Sequence, residues 1–123
     1  MPKSILVVED QEDNRRILRD LLSSRGYDII EVTDGLAGVE AAKREQPDLI
    51  LMDIQLPGID GYEATRRIKN EPDLAGITII AVTSYALSGD EQKALEAGCD
   101  DYVAKPFSPR KLLAKIEEHL SSA

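Results

Sequence analysis

The chain has 123 residues, 42% of them apolar and 31% charged, with 15 Lys and Arg against 23 Asp and Glu and a formal net charge of −8. That is the length of one domain, expected to span 1–123 and to bury roughly two thirds of its unfolded surface, and the balance excludes a disordered tail or a membrane span. The acidic excess argues against DNA binding, since no cationic surplus is available to displace counterions from a phosphate backbone. A lone cysteine, Cys99, excludes an internal disulfide and reads as a small buried filler. No apolar export segment follows Met1-Pro2-Lys3, so a cytoplasmic location is expected. Met1 and the lack of a linker favour a protein complete in this one domain.

Apolar runs of strand length fall at 5–8, 28–32, 49–52, 77–82 and 102–104. Between the first two, Ile17, Leu18, Leu21 and Leu22 mark one face of a helix, with Arg15, Arg16, Arg19 and Asp20 on the other and Gly26 as its stop. Asp60-Gly-Tyr-Glu63 and Ser88-Gly-Asp-Glu91 have the spacing of capping boxes. Asp100 and Asp101 read as solvated acids before the fifth strand. Ser108-Pro109 is an N-cap with proline at the first helical position, opening a final helix whose apolar side carries Leu112, Leu113, Ile116 and Leu120. His119 sits in its last turn, where it suits the helix dipole.

Strand and helix thus alternate five times. Near-continuous apolar strands are what a parallel sheet covered on both faces requires, so the expected fold is a three-layer (βα)5 sandwich. In such sheets ligands bind beyond the carboxyl ends of the strands. Those ends carry Glu9-Asp10, Asp53, Thr83-Ser84 and Lys105-Pro106. Converging carboxylates repel one another and raise at least one pKa unless a cation lies between them. A few hard oxygens suit Mg²⁺, which commonly shares its shell with a phosphoryl group. Lys105 and Thr83 can serve further phosphate oxygens. A carboxylate is a competent nucleophile toward phosphorus, and Asp53, on the central strand, is the candidate.

Val8-Glu9-Asp10, Leu51-Met-Asp-Ile-Gln-Leu-Pro-Gly58, Ala81-Val-Thr83 and Asp101-Tyr-Val-Ala-Lys-Pro-Phe107 together resemble the receiver domain of two-component response regulators, CheY-like and of the single-domain DivK type. The resemblance covers nearly the whole chain and implies a doubly wound sheet of order 2-1-3-4-5. It implies Asp53 as phosphoacceptor from a histidine kinase or phosphotransfer protein, and Mg²⁺ held by Asp10 directly, Glu9 mainly through water, Asp53 and the backbone carbonyl of Gln55. It further implies Thr83 as switch hydroxyl, Tyr102 as the aromatic that turns inward after it, and Lys105 as the phosphate-pairing lysine, with a cis peptide before Pro106. It also implies Gln55 and Tyr85 as the positions that tune phosphoryl lifetime, where a bulky Tyr85 would favour a long one. The readout face would be the fourth helix, fifth strand and fifth helix, presented to an effector protein by a monomer or a weak phosphorylation-dependent dimer.

Taken singly, Glu9-Asp10 reads as a solvated turn, Lys105 as a loop lysine, Thr83 as a strand terminus and Tyr102 as a half-buried aromatic. Their conjunction is what carries the reading. A haloacid-dehalogenase-type phosphatase also uses an aspartate and Mg²⁺, but its DxD motif is absent: Asp53 is followed by Ile54-Gln55, and the length leaves no room for a cap domain. A receiver-like module that has abandoned phosphate would lack Asp53 or Lys105. A dinucleotide fold would open its first helix with a glycine-rich turn, where this chain has Glu-Asp-Gln-Glu-Asp-Asn. The chain is therefore expected to be a switch and not a turnover enzyme.

Overall fold

Unbroken runs of Ile, Leu and Val put apolar side chains on both faces of a sheet, and both must then be covered. In the computed structural model, which describes residues 2–83, 90–105 and 108–121, they do so in five parallel strands: β1 (Ser4–Val8), β2 (Asp28–Val32), β3 (Leu49–Asp53), β4 (Thr78–Thr83) and β5 (Asp101–Ala104), in the order 2-1-3-4-5. The helices between them are α1 (Glu12–Ser23), α2 (Gly35–Glu45), α3 (Gly61–Lys69), α4 (Asp90–Ala97) and α5 (Pro109–Ser121). The expected strands are all present, each shifted by at most a residue or two. The difference that matters is that β3 runs on to include Asp53.

Each strand's alternation feeds two cores. Leu6, Val8, Ile50, Met52, Ile79 and Ala81 lie in one, with Val39 of α2, Ala64 and Ile68 of α3 and Ala94 of α4. Ile5, Val7, Leu49, Leu51, Ile80 and Val82 lie in the other, with Leu18 and Leu22 of α1 and Leu112, Leu113 and Ile116 of α5. Three layers follow directly.

Helix ends mostly obey local chemistry. Gly26 adopts φ +84°, a conformation that costs residues with a Cβ, and it closes the turn after α1. The Asp60 carboxylate accepts from the Glu63 amide at 2.9 Å, the first half of the expected capping box. The second half is replaced: Glu63 turns forward to Arg67 at 2.9 Å and Arg66 at 3.3 Å, because two guanidinium groups offer a carboxylate more than one amide does. Asp34 caps α2 through the Ala37 amide, and Pro109 opens α5 as expected. Ser88 and Gly89, which begin the other expected box, lie outside the described residues.

Three further expectations are corrected. Ile17 is exposed, at 51%, while Arg15 on the supposed solvent side is half-buried. Asp100 is no free acid: it accepts from the Ile79 amide at 2.8 Å and from Lys69 at 3.0 Å, and the same ammonium caps the carbonyls of Ala75 and Ile77 at 3.1 and 2.7 Å. That clasp gathers the amino ends of β4 and β5. Asp101 likewise holds Lys115 at 2.9 Å and His119 at 3.0 Å, tying β5 to α5, so His119 faces a carboxylate as well as the helix end. Cys99 is buried beside Thr65, in keeping with a filler role. Among the described residues no helix is long and apolar enough to cross a membrane.

Candidate functional site

The parallel register decides which side chains meet. Val8 pairs with Met52, Asp53 with Val82, and Thr83 with Ala104, so the residues ending four strands arrive at one sheet edge. The ladder continues a step beyond the strands: the Glu9 amide donates to Val32 at 3.1 Å, Ile54 to Val82 at 3.0 Å and Lys105 to Thr83 at 2.6 Å. The site is therefore mounted on rigid backbone rather than on loops.

Glu9, Asp10 and Asp53 bring one ligand oxygen each within 4.8 Å of one another. Glu9 and Asp53 are buried, at 2% and 4% exposure, while Asp10 is exposed. Lys105 lies between the buried pair, donating to Glu9 at 2.7 Å and to Asp53 at 3.4 Å. The second Asp53 oxygen, Oδ1, accepts from the Gln55 amide at 3.1 Å. Thr83 is buried on the neighbouring strand end, and Tyr102 is half-buried against the α2–α3–α4 core. The structure thus gathers Glu9, Asp10, Asp53 and Lys105, with Gln55 beside Asp53, and places Thr83 one register step away. Tyr85, Ser84, Pro106 and Phe107 lie outside the described residues.

One ammonium cannot neutralise three carboxylates, and the protonation pattern follows. Burial pushes Asp53 up, the adjacent Glu9 carboxylate adds to this, and the Lys105 charge and the Gln55 amide oppose it, leaving Asp53 at about 7. Burial alone would raise Glu9, but its bonds to Lys105, to the Asp53 carboxyl and to the Gln11 amide outweigh that and hold it below the usual range. Burial would lower Lys105, yet the two carboxylates raise it above an ordinary lysine. A proton on Asp53 therefore stands where a further cation would relieve the same repulsion. Hard oxygens, surplus negative charge and an open approach at Asp10 are a fit for Mg²⁺.

Two neighbours escaped the sequence reading. Arg15 reaches back from α1 to the Glu9 carbonyl at 2.9 Å. Gly61, at the start of α3, packs so closely that a Cβ there would collide with the Asp53 carbonyl oxygen and would lie 2.7 Å from the Ile54 Cα. The first had a faint signal in the three arginines of the helix preceding the strand that contains Glu31; the second had none beyond its place after the cap Asp60.

Residues 5–117 match the model of the response regulator receiver domain family. The polar-differentiation response regulator DivK of Brucella anthropi is 42% identical over 123 residues, the whole of both chains. Among solved structures, the receiver domain of sensor histidine kinase PA1611 from Pseudomonas aeruginosa, with a magnesium ion coordinated in its active site cleft, superposes with a TM-score of 0.92 at 40% identity over 99% of this chain and all of that one. The BeF3-activated N-terminal receiver domain of RstA from Klebsiella pneumoniae gives 0.91 at 31% identity, over 98% of this chain and all of that one.

Proposed function

Since this chain belongs to the response regulator receiver domain family and is a phosphorylation-dependent signalling switch of a two-component system, we propose that Asp53 is its phosphoacceptor. The observation that carries this is the placement of Asp53: a carboxylate on a rigid central strand end, buried, flanked by two acids and held against a lysine. One Asp53 oxygen attacks phosphorus in a phosphohistidine donor, the P–N bond breaks and the imidazole leaves, giving an acyl phosphate. Glu9, Asp10, Asp53 and the Gln55 carbonyl would hold Mg²⁺, which supplies charge neutralisation for the phosphoryl oxygens. Asp53 must shed its proton before it can attack.

Lys105 is already oriented toward Asp53 and has only to follow the new negative charge, which grows from one to roughly two on phosphorylation. Its backbone is bonded to Thr83, so the hydroxyl and ammonium belong to one unit of backbone. We assign Thr83 as the switch hydroxyl and Tyr102 as the aromatic that repacks, changing the α4–β5–α5 face. Receiver domains work with histidine kinases or phosphotransfer proteins and with effectors; for this chain we propose an effector bound through α4–β5–α5, a cytoplasmic setting, and a monomer or weak phosphorylation-dependent dimer made of the single domain 1–123. Gln55 is exposed beside the acceptor, in reach of an attacking water, and is assigned with Tyr85 to tuning the phosphoryl lifetime.

Incubation with a phosphohistidine donor or acetyl phosphate, with and without Mg²⁺, tests the reading. Wild type is expected to take up one phosphoryl group per chain and stop, and Asp53→Ala to take up none. Equal labelling of the Ala variant, or steady release of phosphate, would sink the reading.

A further inference from the structure

Asp10 is the exposed member of the acid set, and among the described residues its carboxylate makes no hydrogen bond or ion pair. Its direction is therefore set by backbone alone. On the amino side the Glu9 peptide is fixed by the ladder bond to Val32 at 3.1 Å. The Glu9 carbonyl faces the same side, toward β2, but β2 ends at Val32 and the ladder offers it no further amide. That carbonyl is taken by Arg15 Nη1 at 2.9 Å.

Arg15 is itself held. Its Nε lies 3.7 Å from Glu31 on β2, its side chain is only 15% exposed, and Glu31 is gripped in a fork by Arg19 at 2.6 and 2.8 Å. The chain of contacts runs Arg19, Glu31, Arg15, Glu9 carbonyl, and it fixes the plane of the peptide that joins Glu9 to Asp10. A guanidinium serves the carbonyl and the carboxylate from separate nitrogens of one rigid plane, whereas a lysine would have to reach both from a single nitrogen on a flexible stem. We infer that Arg15 is a positioning residue for the acid set: by holding the Glu9 carbonyl it aims Asp10 at the cation, with Glu31 as its anchor. This rests on the proposed metal and phosphoryl site.

Charge and positioning predict opposite signs, which makes the inference testable. Removing a positive group beside a cation site should tighten Mg²⁺ if Arg15 acts only through its field. Removing an aiming contact should loosen it, and outer contacts of metal ligands are typically worth tenfold or more in affinity. Mg²⁺ binding to the unphosphorylated protein would be measured by calorimetry for wild type, Arg15→Met, Arg15→Lys and, as a nearby surface cation paired with Asp13, Arg16→Met. The expected result is about tenfold weaker binding for Arg15→Met, a clear loss for Arg15→Lys although its charge is kept, and less than a twofold change for Arg16→Met. The Asp10 amide resonance of the metal-free protein should also move in both Arg15 variants, and labelling at saturating Mg²⁺ should recover most of its wild-type rate. Tighter or unchanged binding in Arg15→Met overturns the inference; if that variant does not fold, Arg15→Lys binding within twofold of wild type does so. Wild-type protein that binds no Mg²⁺ would instead overturn the reading of the site itself.

Discussion

At Asp53 a single proton reports the electrostatic imbalance of the whole site. The folded, metal-free protein keeps that proton to about pH 7, against an ordinary value of 3.8. Between those limits the folded state binds more protons than the unfolded one, so this group lowers stability as pH rises through the window. Glu9, depressed below 4.5, works oppositely: its stability is present above its unfolded value and is lost as pH falls. Asp53→Asn should remove the first effect. Thermal melting in EDTA is expected to show the variant gaining on wild type from pH 5 to pH 8, and Mg²⁺ should stabilise wild type more at pH 8 than at pH 6. Parallel melting profiles for the two proteins would contradict the assigned cause.

Among the elements, β3 and α3 meet at a point with no spare room. The Gly61 amide donates to the Ile54 carbonyl at 2.9 Å, and the missing side chain lets α3 start directly on the end of the strand that carries Asp53. Gly61→Ala is expected to cost about 1–3 kcal/mol, as overpacking does, and to slow labelling of Asp53 because the strand end must shift. Gly76→Ala, with nothing within 4 Å of its added carbon, should change stability by less than about 0.5 kcal/mol. Urea titration of both variants makes the comparison. Elements themselves were legible because their signals are local: unbroken apolar runs for the strands, Asp60 and Ser108 for helix starts, Gly26 for a stop. What was not legible depends on distant partners. Arg15 looked like a solvent-facing residue until β2 delivered Glu31 beneath it, and Asp100 and Asp101 looked solvated until Lys69, Lys115 and His119 came to them. The acid set and Lys105 could be grouped only because strand ends in a parallel sheet share an edge. Their unequal protonation follows from burial, which no motif encodes.

Across the whole molecule, phosphorylation is a population shift, and its reach is limited by how differently the two states hold the phosphoryl group. The proposed readout face carries its own brace, since Asp101 joins β5 to Lys115 and His119 of α5. Asp101 is held below the usual carboxylate range: burial would raise it, but the bonds to His119, Lys115 and the Tyr102 amide prevail. Its contribution is therefore present above the ordinary aspartate range and is lost as pH falls through the depressed value. Asp101→Asn should cost about 1 kcal/mol at pH 7, reduced by solvent screening at the half-exposed Lys115, and almost nothing near pH 2. A urea denaturation series at the two pH values reads the difference; an equal cost at both would show that charge is not what the brace uses.

The Lys69 clasp gives this picture a mechanical sense. One ammonium pins the turn before β4 and the residue before β5, at the end of the sheet farthest from Asp53. A strip riveted at one end and pushed at the other is a cantilever: deflection vanishes at the rivet and is largest at the tip. On the proposed switch, a pull at Thr83 and Lys105 would be spent at the free ends of β4 and β5, beside the proposed α4–β5–α5 face, while the rivet keeps the rest of the sheet still.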